Sequence, residues 1–410
     1  MLLSQGHHLA YCTNIHPAES WAECLAALEQ HTLAVRERVC PTKPYAIGLR
    51  LSDLASRQLV EPAEMTRFRH WLDQHNCYVF TINGFPYGQF HGTRVKEQVY
   101  RPDWTTTERL EYTNRLFDIL AQLVPEGVTG SVSTLPGSFK EFITKREQTA
   151  AICENLRACV KHIADLAARS RRDLHLGLEP EPLGLFETTA ETVEFFDRLR
   201  EETPEDSRLE EFLGVNYDTC HLAVEFEEPA EALALLQSHR VKISKIHLSN
   251  ALKIPGDGPL PPELAAFADD TYLHQVITRA PSGELTRFRD LGAFLKPCPA
   301  RAPDTAREGA CAPRRRIGDL DFLQNAQEES RIHFHIPLHT PAGGWFQTTS
   351  DHLLGVLDVL QIEPALCSHL EMETYTWGVL PPELKSRSVT DQLVAEYEWC
   401  LGELGQRGLA

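Results

Sequence analysis

A (β/α)8 TIM barrel is the fold that this sequence of 410 residues predicts, on three observations. Apolar, β-prone segments alternate with amphipathic stretches of roughly ten or more residues, the spacing of parallel β-α-β units. Seven such units run up to residue 248 and an eighth closes near the C-terminus, which fits a barrel better than an open doubly wound sheet. No G-x-G-x-x-G follows the first strand candidate and no P-loop occurs, so no nucleotide-phosphate cradle is indicated.

The first strand is expected in LAYCTNIH (9–16), followed by a helix over 20–39 with apolar residues at helical spacing. AIGLRLS (46–52) gives the second strand, and Glu61-Pro62 opens a helix to about Gln74, with Pro in its first turn. The third strand, YVFTINGFPYG (78–88), runs into a Gly-rich loop carrying His91. A helix from about Thr106 leads to GVTGSVSTLP (127–136), and a long helix over 139–168 leads to the fifth strand at 174–180. Helices over 189–201 and 229–239 flank the sixth strand at 212–218 and precede the seventh at 241–248. The rhythm then breaks over 252–332, read as an insertion above the barrel mouth. It holds a Pro-rich stretch, a hairpin of YLHQVITRA and ELTRFRDLG around PSG, and a Pro/Ala/Arg stretch over 296–316 expected to be mobile. RIHFHIPLH (331–339) regains strand character, 350–361 is a helix, ALCSHLEMET (365–374) closes the barrel, and a tail helix spans 389–404. The whole of 1–410 is expected to be one domain.

Hydrophobic content of 42% and charged content of 24% are those of a soluble globular chain. A formal charge of −18 disfavours nucleic acid and anionic membranes as partners, and no apolar run reaches the roughly 20 residues that cross a bilayer. The eleven cysteines are scattered without a C-x-x-C pair, as in a reducing compartment, so the cytoplasm is the expected location.

The chemistry gathers at strand ends. LGVNYDTCH (213–221) delivers Asp218 and His221, KISKIHLSN (242–250) delivers His247, HLGLEPEP (175–182) delivers Glu179 and Glu181, and CSHLEMETY (367–375) delivers Glu371 and Glu373. Carboxylates and an imidazole on rigid strand tips are the donors of a Mn, Zn, Mg or Fe ion. Alternation puts both members of each Glu pair on one face, so periodicity does not choose between them, and the nearer-core member suits an orienting role. Taken singly, a strand-end Asp serves equally as a helix cap, and a buried His is more often hydrogen-bonded structure than a ligand. His333, His335 and Pro337 share one strand face, so two imidazoles can point into the mouth; the bland reading is a structural pair bonded to loop carbonyls. His91 lies in GFPYGQFHG, whose aromatic residues are placed to wall a ring-shaped substrate, or merely to pack a turn. The 314–316 arginine run reads as a solvated loop or a phosphate clamp.

Glu181 with Glu187 six residues on, Asp218-x-x-His221, IHLSN around His247 and Glu-Thr-Tyr at 373–375 together resemble the xylose isomerase-like barrels, especially the ketose 3-epimerases. The resemblance implies Glu181, Asp218, His247 and Glu373 as metal ligands, Glu181 and Glu373 as the acid–base pair, and His221 and Glu187 as substrate contacts. His335 and His91 join them as substrate-binding candidates, with Glu179 and Glu371 as alternative ligands. YCTNIHP, TINGFPYGQFHG, VKEQVYRPDW, LEPEP, YLHQV, HFHIPLH and LEMETYTW resemble the EboE-type metabolite traffic proteins. That implies a sugar- or cyclitol-isomerase-like protein acting on a small polyhydroxylated molecule in biosynthesis or export. Competing readings are a metal-dependent phosphoesterase of the endonuclease-IV kind and a non-catalytic metabolite carrier. A homodimer is the expectation by analogy with related barrels.

Overall fold

The computed structural model describes residues 1–256, 258–296 and 328–410. Eight parallel strands form the central sheet: β1 (His8–Tyr11), β2 (Tyr45–Arg50), β3 (Cys77–Asn83), β4 (Gly130–Thr134), β5 (Leu174–Leu178), β6 (Leu213–Asp218), β7 (Lys242–Leu248) and, last in the chain, β13 (His369–Met372). They are ordered β1-β13-β7-β6-β5-β4-β3-β2, and a parallel bridge between Cys12 and Gly48 brings β1 back against β2. This is a nearly closed (β/α)8 barrel of the expected strand order. Each strand is buried on both faces, as a parallel sheet under a coat of helices requires.

The helices answer to their sequence signals. Pro62–Gln74 starts on Pro, Trp21–Ala27 is opened by a Ser20/Glu23 capping box, and Thr189–Glu201 and Val389–Gln406 are capped by Thr188 and Ser388. The expected 20–39 helix is interrupted by a π segment at Leu28–Thr32, and the long helix begins later than expected, at Arg146–Ser170. A helix at Asp53–Leu59 was not anticipated; Ser52 caps it.

Within its described residues the insertion carries strands. It forms a second sheet with β8 (Asn250–Ile254), β9 (Val276–Arg279), β10 (Leu285–Phe288), β11 (Glu329–Ile336) and β12 (Gln347–Thr348), in the order β10-β9-β11-β8-β12. The hairpin pairs Leu285 with Arg279 around the Pro-Ser-Gly turn, as expected. The 296–316 stretch beyond Lys296, with its arginine run, lies outside the described residues. The nine described cysteines are buried and unpaired, and no described helix is long and apolar enough to cross a membrane.

Candidate metal centre

Four neighbouring strands, β5, β6, β7 and β13, end at one place. Asp218 is the last residue of β6 and lies in register with His247 of β7, while Glu179 and Glu373 are the residues just past β5 and β13. Ligand atoms of Glu179, Asp218, His247 and Glu373 all lie within 4.8 Å of one another. His247 is at the middle: its Nδ1 is 3.3 Å from Asp218 Oδ2, 3.4 Å from Glu179 Oε1 and 3.2 Å from Glu373 Oε2.

Each carboxylate has one oxygen pinned and the other turned inward. Glu179 Oε2 accepts from Asn216 Nδ2 at 2.8 Å. Asp218 Oδ1 accepts from the backbone of Cys220 (2.8 Å) and His221 (3.2 Å) and from Ser249 Oγ (2.6 Å), so Asp218 also caps the short helix Thr219–Val224. Glu373 Oε1 accepts from Asn14 and Asn83 at 2.8 and 3.0 Å. Asp218 Oδ2 accepts no hydrogen bond. On the far side of the imidazole, His247 Nε2 meets Glu371 Oε2 at 2.9 Å, and the same oxygen takes Lys245 Nζ at 2.6 Å. A histidine oriented by a carboxylate behind it, within a ring of inward oxygens, is how proteins prepare a divalent-ion site.

Electrostatics point the same way. Burial opposes a charge on His247, but Glu373 and Glu179 outweigh it and raise its pKa well above the usual value. Burial pushes Asp218 up, and His221 and His247 outweigh it, holding the carboxyl well below its usual range. A ring of three buried carboxylates demands positive charge, which a divalent ion supplies more fully than one imidazolium.

Glu181 does not join this ring. The chain leaves β5 through Pro180 and turns back over Glu181–Gly184, where the Gly184 amide donates to the Glu181 carbonyl at 2.9 Å. The expected ligand Glu181 is therefore replaced in the ring by its alternative, Glu179. Glu181 instead groups with His221 and His333. Its Oε1 has no partner, and burial, then Glu179, raises its pKa well above the carboxylate range. Of the Glu371/Glu373 pair, Glu373 is in the ring and Glu371 stands behind His247.

Three imidazoles flank the ring, each with Nδ1 fixed by an oxygen acceptor: His221 by the Pro180 carbonyl (3.2 Å), His333 by Gln275 Oε1 (2.8 Å) and His335 by the Glu373 carbonyl (2.8 Å). That fixes the tautomer and leaves Nε2 of His333 and His335 without a partner. Burial lowers His221 to about 4, so it is neutral at pH 7. These nitrogens, with Glu181 or Asp218, form further groups able to hold an ion or a substrate hydroxyl.

Two expected substrate contacts lie elsewhere. Glu187 binds Lys140 and accepts from the Leu183 amide at 2.9 Å, bracing the loop after β5. His91 packs edge-on against Phe90, and Phe90, not His91, lines the cleft. Asn83, Asn216, Lys245 and Gln275 escaped the sequence reading. Lys245 and Asn216 sit two residues before His247 and Asp218, so alternation along their strands could have placed them on the inner face.

The family model for xylose isomerase-like TIM barrels matches residues 45–276, more than half of the chain. The chain belongs to the xylose isomerase-like TIM barrel family. Solved structures similar to this xylose isomerase-like barrel include an L-ribulose 3-epimerase (12% identity, 99% of this chain and 96% of that one, TM-score 0.48). A xylose isomerase domain protein from Planctomyces limnophilus (13%, 88% and 89%, 0.47) and the IOLI protein with a bound zinc atom (12%, 98% and 99%, 0.46) are also similar. No curated protein sequence matches it.

Proposed function

We propose that this barrel is a divalent-metal-dependent isomerase or epimerase of a small polyhydroxylated metabolite, working in the cytoplasm in a biosynthesis or export route of the EboE-type metabolite traffic kind. The observation that carries the reading is the ring of Glu179, Asp218, His247 and Glu373, with inward oxygens and every outward oxygen pinned. Those four residues would hold a Mn, Zn, Mg or Fe ion, which when bound polarises a substrate carbonyl or hydroxyl. Glu181, whose pKa burial and then Glu179 raise well above the usual carboxylate range, is suited to give and retake a proton, and Glu373 is the second carboxylate of the acid–base pair. His333 and His335 would take substrate hydroxyls on their unpartnered Nε2 atoms, with His221 beside them.

The test is solvent exchange. Metal-loaded protein in D2O should place deuterium on the carbon beside the carbonyl of a suitable ketose or cyclitol ketone, followed by NMR. Glu181→Gln should abolish exchange while retaining the metal. A metal-bound protein that exchanges no ketone, and instead releases phosphate from phosphoesters, would contradict the reading. The two unpartnered imidazole nitrogens, Nε2 of His333 and of His335, favour that second reading, since further ions held there would make a phosphoesterase centre.

A further inference from the structure

A cleft of about 60 Å3, or about 560 Å3 when the open solvent at its mouth is included, opens beside the candidate metal centre, and its lining falls into two chemical groups. One contains Glu179, Glu181, Glu373, Asn14, Asn83 and His221; the other contains Phe85, Phe90, Val99, Tyr272, Leu273 and Tyr375. Three rings of the second group touch one another, with centroids 5.1 Å apart for Phe90–Tyr272, 5.3 Å for Phe90–Tyr375 and 5.1 Å for Tyr272–Tyr375. They come from three segments: the loop after β3, the insertion ahead of β9, and the residues after β13. The aromatic wall is therefore a tertiary construction, in which Phe90 and Tyr272, each 5% exposed, pack together and show the cleft only a small part of their rings.

The described lining offers an anion no uncommitted Lys or Arg. Its one Lys or Arg is Lys96, 7% exposed, and the ammonium is already held by Asp290 Oδ2 and the Asp269 carbonyl, both at 2.8 Å. Arg50, whose Nη2 donates to the Pro86 carbonyl, has both terminal nitrogens taken by Glu19 and the carbonyls of Ala18, Pro86 and Gly88, and only its Nε is without a partner. Glu179, Glu181 and Glu373 line the same space. A phosphate there would face carboxylates in a partly desolvated cleft, and a divalent ion would already be balanced by its own three acidic ligands. A bare sugar fares poorly for the opposite reason, because hydroxyls turned toward the ring wall would lose water without gaining partners.

We infer that the site takes an uncharged substrate with two unlike ends: a hydroxyl-bearing end toward the carboxylates, and an apolar ring or alkyl substituent against Phe90, Tyr272 and Tyr375. The substrate class is an aryl- or alkyl-bearing polyol or glycoside, rather than a free sugar or a sugar phosphate. This rests on the metal-dependent isomerase reading for which end reacts.

Calorimetric titration of the full-length, Mn-loaded protein with D-glucose, glucose 6-phosphate and phenyl β-D-glucoside tests it, with metal content measured on the same samples. Burial of a phenyl ring should make the phenyl glucoside bind roughly tenfold or more tighter than glucose. The phosphate should bind no tighter than glucose. Tyr272→Ala, and Val99→Asn on a partly exposed turn, should bring the phenyl-to-glucose ratio toward one while metal content and circular dichroism stay those of the wild type. Equal binding of phenyl glucoside and glucose, tighter binding of the phosphate, or no binding of any probe by metal-bearing protein would overturn the inference. A protein that holds no metal yet prefers the phenyl glucoside would keep this subsite and overturn the metal reading instead.

Discussion

Lys245→Met removes a cation from the centre of the barrel without changing the bulk of the side chain much. Lys245 and Glu371 are both fully buried, 2.6 Å apart, and the ammonium also donates to Ser133 Oγ at 3.0 Å. Burial pushes Glu371 up, but Lys245 and then His247 pull it down to about 2. Removing one partner of a buried pair leaves the other charge uncompensated, at about 3–5 kcal/mol. Unfolding entropy of about 2.1 cal/mol/K per residue gives about 0.9 kcal/mol/K for this chain, so the midpoint should fall by about 4–6 °C. The pH dependence has a definite sign. A carboxyl depressed in the folded state adds stability above its unfolded pKa, near 4.5, and loses it as pH falls toward about 2. The gap between wild type and variant should therefore be full at neutral pH and close in acid. Thermal unfolding by circular dichroism, with chelator present so that ion binding does not contribute, measures both. Lys245→Met/Glu371→Gln, which removes the orphaned charge, should recover most of the loss. A single variant as stable as wild type at pH 7, or a double variant no better than the single, would refute the argument.

A Cβ on Gly48 would stand 2.0 Å from Glu371 Oε1 and 2.7 Å from the Tyr11 carbonyl, so Gly48→Ala must displace Glu371 from behind His247. Metal affinity should drop by roughly 10–100-fold in titration, and an unchanged affinity would remove Glu371 from its orienting role. Glu396 is fully buried, and burial raises its pKa to about 7 even though it accepts from Thr374 Oγ1 (2.7 Å) and the Leu338 amide (3.1 Å). Because the folded protein keeps that proton while the unfolded chain releases it, stability is full below about pH 4.5 and falls until about pH 7. Glu396→Gln should flatten that part of the urea-unfolding profile and stabilise the protein at pH 8 by at most about 3 kcal/mol; an unaltered profile would assign the slope to other groups.

The barrel was legible because its signals are local. Each strand is a short apolar run and each helix a 3.6-residue pattern, with a Pro start legible at Pro62, whereas the cap expected from the TTTE run fails because Thr106 makes no side-chain capping bond. The insertion sheet was half legible: the β9–β10 hairpin has a turn signal, but β8 pairs Leu252 with Ile332 across the whole insertion, and nothing local announces that. Asp218 and His247 were readable as the last polar groups of their strands. The choice of Glu179 over Glu181 was not, because both point the same way by alternation and only the turn at Glu181–Gly184 separates them. Lys245 was overlooked because a buried lysine is unusual, and its partner is on another strand. Of the aromatic wall, Phe90 belongs to the GFPYGQFHG loop whose rings read as a candidate substrate wall, but Tyr272 and Tyr375 come from distant segments that nothing local joins to it.

The central claim is that Glu179, Asp218, His247 and Glu373 hold a divalent ion. Elemental analysis of untagged wild-type protein beside Asp218→Ala and His247→Ala tests it most directly. The account predicts at least one Mn, Zn, Fe or Mg bound tightly to the wild-type chain and lost from both variants, with their circular dichroism unchanged. Full metal content in both folded variants, or a wild type that cannot be loaded, would contradict it.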